Sequence, residues 1–469
     1  MLAAGDVVHS EYSICFSDWQ VVWIGRATGI IPMRRCVTAC FAVVKRRFRF
    51  VITFPAKCIA LACAVCRMFI GRRIILLYAV TFLLVLPVLF HDVRHSAFYF
   101  HMNKTALKEL MNKANSQRIL QARNYFALLN STGFAGQHIV YSNSSSKEAI
   151  TVALSIITVS RNRHYIDDYE PWYLTQSAWK LHSLLGKWRL RNQNIHVHLS
   201  ICNVDPATDT YQEVHSLSKF MPVFTRFNET HFSLVNTLEK EKQDYVYCLN
   251  KSLQVHRDAD YVFLVEDDAL PTDDVFDVLQ YVTHMHTEQS FVRGEFNSKP
   301  SDVAFVKFYH PERLLNFFSL QPERLSELFS YAALLSTLLT IAYAVACGLT
   351  TGNVDACWRK LFLYSLIVVL ACGRSGISEW RRVASPLFYS YTPAPSCCTP
   401  AMLFPRRAAI HTVNYLNSST CTSNFGKDSA LDNMLVDTRM RAYLVQPSTF
   451  THIGVYSSLR EKIVDPLMV

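Results

Sequence analysis

Charge is sparse in this 469-residue chain: Asp, Glu, Lys and Arg make up 18% of it, against an apolar share of 50%. That balance excludes an intrinsically disordered chain, which is poor in apolar residues and rich in charge. Glycine is scarce too, with 14 residues, and no glycine-rich phosphate loop occurs. No Ser-His-Asp arrangement stands out, which leaves acyl transfer by a serine triad without support. The charge that is present is unevenly placed. Residues 1–73 hold 11 Lys+Arg against 3 Asp+Glu, a net of +8, whereas the other 396 residues hold 36 against 34, a net of +2. The overall +10 is therefore a basic tail and not a basic face on a folded domain, and no nucleic-acid partner is expected. Length alone allows two or three domains.

The apolar residues are concentrated in three segments. Residues 74–90 are 17 residues without a charge, directly after Arg72-Arg73, near the lower limit for a membrane-spanning helix. No small-x-small cleavage site follows, so this is read as a span and not as a removed signal peptide. Residues 328–349 are 22 uncharged residues and form the second expected span. The third, 361–380, meets Arg374 after 13 residues and is read as a span because the second needs a return partner. The basic tail 1–73 then faces the cytosol, as does the loop 350–360 with Arg359 and Lys360. Residues 91–327 and 381–469 fall on the lumenal side. All six Asn-x-Ser/Thr sequons, at Asn103, Asn130, Asn143, Asn228, Asn250 and Asn417, lie in those lumenal parts.

Of 14 cysteines, five are lumenal: Cys202, Cys248, Cys397, Cys398 and Cys421. A staple between Cys202 and Cys248 joins a strand-like run to a helical one. Cys397 and Cys398 either pair with each other or one of them reaches Cys421. Cys58-x4-Cys63-x2-Cys66 has the spacing of an iron–sulfur motif but lies on an apolar helix, and reads as helix packing or juxtamembrane acylation.

The lumenal parts alternate strand and helix. Residues 91–147 read as a helical stem to about 130 and a Ser/Asn/Gly-rich linker after it. Within 148–327, β-branched and apolar runs at 151–159, 195–204, 261–265 and 303–309 predict buried strands, with helices at 171–185, 232–255 and 275–282. Within 381–469, strands are expected at 401–404 and 441–445, and helices at 408–416 and 429–436. This is the pattern of an α/β sheet with crossovers. Neither lumenal piece closes a sheet alone, so a single α/β domain interrupted by a membrane hairpin is expected.

The tripeptide Glu266-Asp267-Asp268 directly follows the buried strand 261–265. Ligands bind off the carboxyl ends of strands in open α/β sheets. Three adjacent carboxylates repel one another there and seek a hard cation such as Mn²⁺ or Mg²⁺, which would stabilise a departing diphosphate. A solvated acidic turn is the plainer reading of the same residues. His196-x-His198 and His284-x-His286 read as polar faces of their elements.

A buried strand ending in such an acidic triplet resembles the nucleotide-sugar glycosyltransferases of GT-A type. Further stretches resemble one Golgi family, post-GPI attachment to proteins factor 4: Glu239-Lys-Glu-Lys-Gln-Asp-Tyr-Val-Tyr-Cys248, Tyr261-Val-Phe-Leu-Val-Glu-Asp-Asp-Ala269, Phe308-Tyr-His-Pro-Glu-Arg313, Cys397-Cys-Thr-Pro-Ala-Met-Leu-Phe-Pro405, Phe425-Gly-Lys-Asp428, His452-Ile-Gly454 and Ser457-Ser-Leu-Arg460. The resemblance runs from about residue 74 to 465 and departs in the long basic tail. It implies a GT-A-like domain split by a tandem transmembrane pair, in a multi-pass Golgi membrane protein with its N-terminus in the cytosol. It also implies transfer of N-acetylgalactosamine from UDP-GalNAc to the first mannose of the glycan on GPI-anchored proteins, inverting, with a β1,4 product. A transferase adding N-acetylglucosamine to N-glycans and a non-catalytic scaffold are the alternatives; the membrane hairpin speaks against the first, the intact acids and His452 against the second.

Residue roles follow from position. Asp268 is the first metal ligand, with Glu266 and Asp267 supporting it or binding ribose. His452, with a glycine two residues on, is either the second ligand or a loop histidine. Val159, Ser160 and Arg161 close the first strand, where uridine is expected. Thr399 and Pro400 precede a late strand and are expected near donor or acceptor. Asp428, at a helix start, is either the catalytic base or an N-cap, with Asp432 the weaker candidate for the base.

Overall fold

The run of β-branched residues at the start of the lumenal part is a strand, β1 (Ile150–Thr158), and it lies at the heart of an eight-stranded sheet. The computed structural model describes residues 70–90, 104–132, 149–161, 169–192, 194–227, 236–292, 303–311, 314–315, 317, 322–347, 351–457 and 462–463. The tail 1–69 with its six cysteines, Cys58, Cys63 and Cys66 among them, most of the linker, and the sequons at Asn103, Asn143 and Asn228 lie outside these residues. In chain order the helices are α1 (Ile70–Val80), α2 (Lys104–Ser131), α3 (Tyr173–Arg189), α4 (Gln212–Leu217), α5 (Thr237–Val255), α6 (Val275–Val292), α7 (Pro322–Cys347), α8 (Thr351–Ala384), α9 (Arg406–Ser418) and α10 (Lys427–Thr438). The strands after β1 are β2 (Ile195–Asn203), β3 (Val223–Thr225), β4 (Tyr261–Glu266), β5 (Ala269–Pro271), β6 (Val303–Lys307), β7 (Ser390–Pro393), β8 (Ala401–Pro405), β9 (Arg441–Gln446), β10 (Phe450–His452), β11 (Tyr456–Ser457) and β12 (Lys462–Ile463).

The large sheet has the order β3-β2-β1-β4-β8-β6-β9-β7. β3, β2, β1 and β4 are parallel, β8 runs antiparallel to both β4 and β6, β6 and β9 are parallel, and β7 closes the edge antiparallel to β9. This mixed α/β architecture, with a large and mostly parallel sheet, is consistent with a GT-A-like fold. β8 comes after residue 384, yet it is inserted between β4 and β6. Strands from both sides of α7 and α8 therefore build one sheet.

Side chains alternate across that sheet with the strand period of two. Val152, Leu154, Ile156 and Phe263 face a layer with Leu181, Trp188 and Phe276, while Ala153, Val262 and Leu264 face a layer with Tyr245, Leu249, Val413 and Leu431. β8 repeats the alternation, Leu403 to the first layer and Met402 and Phe404 to the second. Helices thus cover both faces, which is why the strands read as continuous apolar runs. Truncating a core ring such as Phe263, fully buried here, to alanine costs about 3–5 kcal/mol.

The expected stem is α2, and it is docked on the domain. Its Leu107, Met111, Ile119 and Phe126 are buried. Arg118 Nε donates to Gln176 Oε1 at 2.7 Å, and Gln176 Nε2 donates to Asn115 Oδ1 at 2.8 Å.

α1 continues through a π-helical turn (Thr81–Val85) into Leu86–Phe90. Its Thr81 hydroxyl lies 2.7 Å from that of Tyr364 on α8. Among the described residues one helix is long and apolar enough to cross a membrane, Arg324–Val345 within α7, with mean hydropathy 1.8; Ile75–Leu89 is a shorter apolar helix. α8 returns beside α7, with Ser336 Oγ donating to the Trp358 carbonyl at 3.1 Å near the turn. The segment expected as the third span, 361–380, lies within α8. Gly373, at φ 75° and ψ 160°, breaks α8 in a conformation glycine tolerates best. Arg374, next in the chain, is 3% exposed and donates to Glu327 Oε2 at 2.6 Å. The apolar run ends at Gly373, and the rest of α8 packs on the domain because its arginines find acids and carbonyls there.

Cys202 and Cys248 are bonded, tying β2 to α5 with Cα atoms 5.9 Å apart. Cys397 and Cys398 pair with each other, and Cys421 is a buried free thiol.

Candidate active site

The parallel pairing of β1 and β4 sets Ile157 opposite Glu266, so both strands deliver their carboxyl ends to the same edge. The chain then turns through Asp267 and Asp268 and returns as β5. β5 pairs antiparallel with β10, which places His452 opposite Ala269. That two-stranded ribbon brings a residue 184 positions downstream onto the acidic triplet, with His452 Nε2 3.3 Å from Asp268 Oδ2. The Ile453 N–H donates to the Asp268 carbonyl at 2.8 Å and locks the arm in place.

Arg161, three residues after β1, closes the other side. Its Nη1 donates to Asp268 Oδ2 at 2.8 Å and its Nη2 to Asp267 Oδ1 at 2.5 Å. Nη1 also reaches the Tyr456 carbonyl at 3.1 Å, and the guanidinium lies 4.9 Å from the centre of the Tyr173 ring. A forked guanidinium suits two carboxylates at once, which a lysine does not. Burial alone would raise the Asp268 carboxyl, but Arg161 and then His452 hold it well below the usual carboxylate range. Burial opposes a charge on His452, yet the Asp268 carboxylate outweighs it and raises the imidazole. For Asp267 burial wins over Arg161 and raises the carboxyl.

The three acids of the triplet do not share one set of partners, although Asp267 and Asp268 both hold Arg161. Asp267 is 2% exposed and accepts from Thr158 Oγ1 at 2.7 Å besides Arg161, so it is spent inside the domain. Glu266 Oε1 accepts from Thr399 Oγ1 and from Lys427 Nζ, each at 3.2 Å. Asp268 alone keeps a buried oxygen, Oδ1, without a hydrogen-bond partner. Three carboxylates converging on one cation is therefore not the arrangement found. Among the described residues no group of three or more His, Cys, Asp or Glu gathers for a metal. What the residues offer is a pair, the orphaned Asp268 Oδ1 and the His452 imidazole. A buried carboxylate oxygen without a donor is costly unless something positive meets it, and a carboxylate oxygen beside an imidazole would suit a divalent cation.

The other expected residues are placed as follows. The Ser160 N–H donates to Asp205 Oδ2 at 2.8 Å, and the Val159 carbonyl lies 3.5 Å from the Tyr211 hydroxyl. The Pro400 carbonyl accepts from Glu266 N at 2.7 Å, so Thr399 and Pro400 both hold Glu266. Asp428 Oδ2 accepts the Cys398 N–H at 2.9 Å, and the Asp432 carboxylate accepts from Ser396 Oγ. Lys307 Nζ donates to the carbonyls of Pro395 at 2.9 Å and Cys397 at 2.6 Å. These groups fasten the vicinal disulfide, whose Cys397 and Cys398 stand at φ 74° and 69°, a left-handed conformation that costs a non-glycine residue about 1–3 kcal/mol.

Three contributors escaped the sequence reading. Lys427 is 4% exposed and pairs with Glu241 at 2.9 Å as well as Glu266. Asp205 is fully buried under Ser160. Glu213, buried at 3% exposure, accepts from Thr175 N and Oγ1 at 2.8 Å each. Lys427 lies within Phe425-Gly-Lys-Asp428, but nothing local says that it faces an acid 161 residues away.

The family model described as GPI-N-acetylgalactosamine transferase PGAP4 matches residues 152–451. The chain belongs to that family. The matched span opens within β1 and closes one residue before His452, so it takes in the eight-stranded sheet except the first two residues of β1, together with the acidic triplet. Membership makes the chain a glycosyltransferase acting on GPI glycans, with the glycan of GPI-anchored proteins as acceptor and a membrane of the secretory pathway as its place.

Proposed function

We propose that this chain transfers N-acetylgalactosamine from UDP-GalNAc to the first mannose of the GPI-anchor glycan, with inversion to a β1,4 linkage, at the lumenal face of the Golgi membrane. The observation that carries the reading is the Asp268–His452 pair with its orphaned oxygen, set at the carboxyl edge of β1 and β4 in a chain of this family. Asp268 Oδ1 and His452 would hold Mn²⁺ or Mg²⁺, which when bound supplies Lewis-acid stabilisation to a diphosphate leaving group.

The remaining work belongs to the protein. Val159, Ser160 and Arg161 form the wall for the nucleotide, with Arg161 held rigid by two carboxylates, while Thr399 and Pro400 fix Glu266 beside it. In the transfer the acceptor hydroxyl oxygen bonds to the donor sugar C1 as the bond from C1 to the UDP oxygen breaks, and the UDP oxygen keeps the electron pair. Asp428 takes the hydroxyl proton in this scheme; its Oδ2 is committed to Cys398, which orients the carboxylate, and Asp432 stands one turn on. α1, α7 and the apolar part of α8 anchor the domain in the bilayer, with residues 1–73 in the cytosol, which suits an acceptor that is itself lipid-linked.

A donor screen on the purified full chain, with Mn²⁺ and a GPI-glycan acceptor, tests the reading. Product with UDP-GalNAc and little with UDP-GlcNAc is the expected result; preference for another donor overturns the sugar assignment.

A further inference from the structure

The base of the α7–α8 hairpin is a buried polar joint. Glu327, near the start of α7, accepts Arg374 Nε at 2.6 Å and Arg381 Nη2 at 3.2 Å, with Arg324 Nη1 3.7 Å away. The Arg374 guanidinium also donates to Oε1 of Gln446, the fully buried last residue of β9. Gly373 makes this reachable, because its φ of 75° turns Arg374 off the line of the preceding apolar helix.

Arg382, at the end of α8, carries the joint further. It donates to the Ser448 carbonyl at 2.6 Å, to Thr272 Oγ1 at 3.1 Å and to Asp274 Oδ1 at 3.2 Å. Thr272 and Ser448 flank the β5–β10 ribbon, and the Thr272 N–H donates to the Thr449 carbonyl at 2.8 Å. The hairpin is thus bonded to the residues that flank both strands of the ribbon setting His452 against Asp268. A tether that only retains a domain at a membrane is served by a flexible linker. Buried ion pairs are costly to desolvate, and their best-attested use is to fix one geometry.

We infer that Glu327, Arg374 and Gln446 are positioning residues that hold the hairpin at a fixed angle to the Asp268–His452 ribbon and so set the reach of the site toward an acceptor anchored in the same bilayer. This rests on the functional reading above. The joint touches no substrate; it acts through the orientation of the domain.

The test uses the full chain in vesicles with two acceptors, a GPI-anchored protein in the same bilayer and the same glycan freed of its lipid. Glu327→Gln is expected to lower kcat/KM at least tenfold on the anchored acceptor and less than twofold on the free glycan. Adding Gln446→Glu to that variant returns a carboxylate to Arg374 and is expected to restore at least half of the lost activity. Equal loss on both acceptors, or loss on neither, overturns the inference. A wild-type chain that modifies neither acceptor overturns the functional reading instead. The joint is then judged by spin labels placed through unnatural amino acids at exposed Leu190 and Val345: a distance distribution that broadens in Glu327→Gln supports it, and an unchanged width refutes it.

Discussion

Gly454 lies against the Asp268 carboxylate: a Cβ on it would fall 3.0 Å from Asp268 Cγ and 3.0 Å from His452 Cε1, and closer still to Asp268 Oδ2. The glycine is there for space, since only a residue without a side chain lets the ribbon close over Asp268.

Gly454→Ala therefore tests the ribbon. The added methyl pushes Asp268 and His452 apart, and overpacking of this kind costs about 1–3 kcal/mol. Transfer is expected to fall at least a hundredfold, with only a small drop in Tm. Near-normal turnover in a folded Gly454→Ala protein contradicts the assigned geometry.

Arg161→Lys keeps the charge and loses the fork. One ammonium cannot reproduce the paired bonds to Asp267 and Asp268, so one carboxylate loses its donor. Donor KM is expected to rise about tenfold or more and thermal stability to fall, checked by initial rates over UDP-GalNAc concentration and by melting in detergent. An unchanged KM removes Arg161 from the donor wall.

Glu213 sets a pH dependence of stability. Burial, opposed in part by the Thr175 hydrogen bonds, pushes its carboxyl up to about 7. The folded chain then keeps a proton that the unfolded chain releases near pH 4.5, so stability falls as pH rises from about 4.5 to about 7 and stays low above. The span amounts to about 3 kcal/mol for this one group. Glu213→Gln is expected to flatten that part of the Tm-against-pH curve, and a parallel curve shows that another group is responsible.

Reducing the Cys202–Cys248 bond frees a loop of 46 residues, worth about 4 kcal/mol by chain entropy. Cys202→Ser is expected to lower Tm by roughly 10 °C while KM for the donor holds. A large change in KM with stability intact puts the bond in the site and not in the frame.

Much of the fold was legible because strands buried on both faces have to be continuous apolar runs. β1, β4, β6 and β8 coincide with such runs, β2 and β9 with mixed apolar and polar stretches, and the Cys202–Cys248 staple followed from a strand and a helix with one cysteine each. Short strands carry no such signal: β3, β5, β7 and β10 have three or four residues, and their pairing depends on partners far along the chain. The triplet was legible as chemistry but not as geometry. Asp267 looks no different from Asp268 in sequence; only Thr158 and Arg161, more than a hundred positions earlier, turn one inward and leave the other with a bare oxygen. The hairpin shows the same limit. Apolar content marked 361–380, and the partners of buried Arg374 within it, Glu327 and Gln446, are 47 and 72 positions away.

The central claim is that the Asp268–His452 pair powers transfer of N-acetylgalactosamine to a GPI glycan. The most direct measurement is product formation by the purified full chain and its Asp268→Asn variant, with UDP-GalNAc and GPI-glycan acceptor, before and after removal of divalent cations by a chelator and re-addition of Mn²⁺. Product is expected from the wild type only, lost with the chelator and regained with Mn²⁺, while Asp268→Asn stays folded and inactive throughout. Undiminished transfer by folded Asp268→Asn, or no transfer by the wild type with UDP-GalNAc and Mn²⁺, would contradict this assignment.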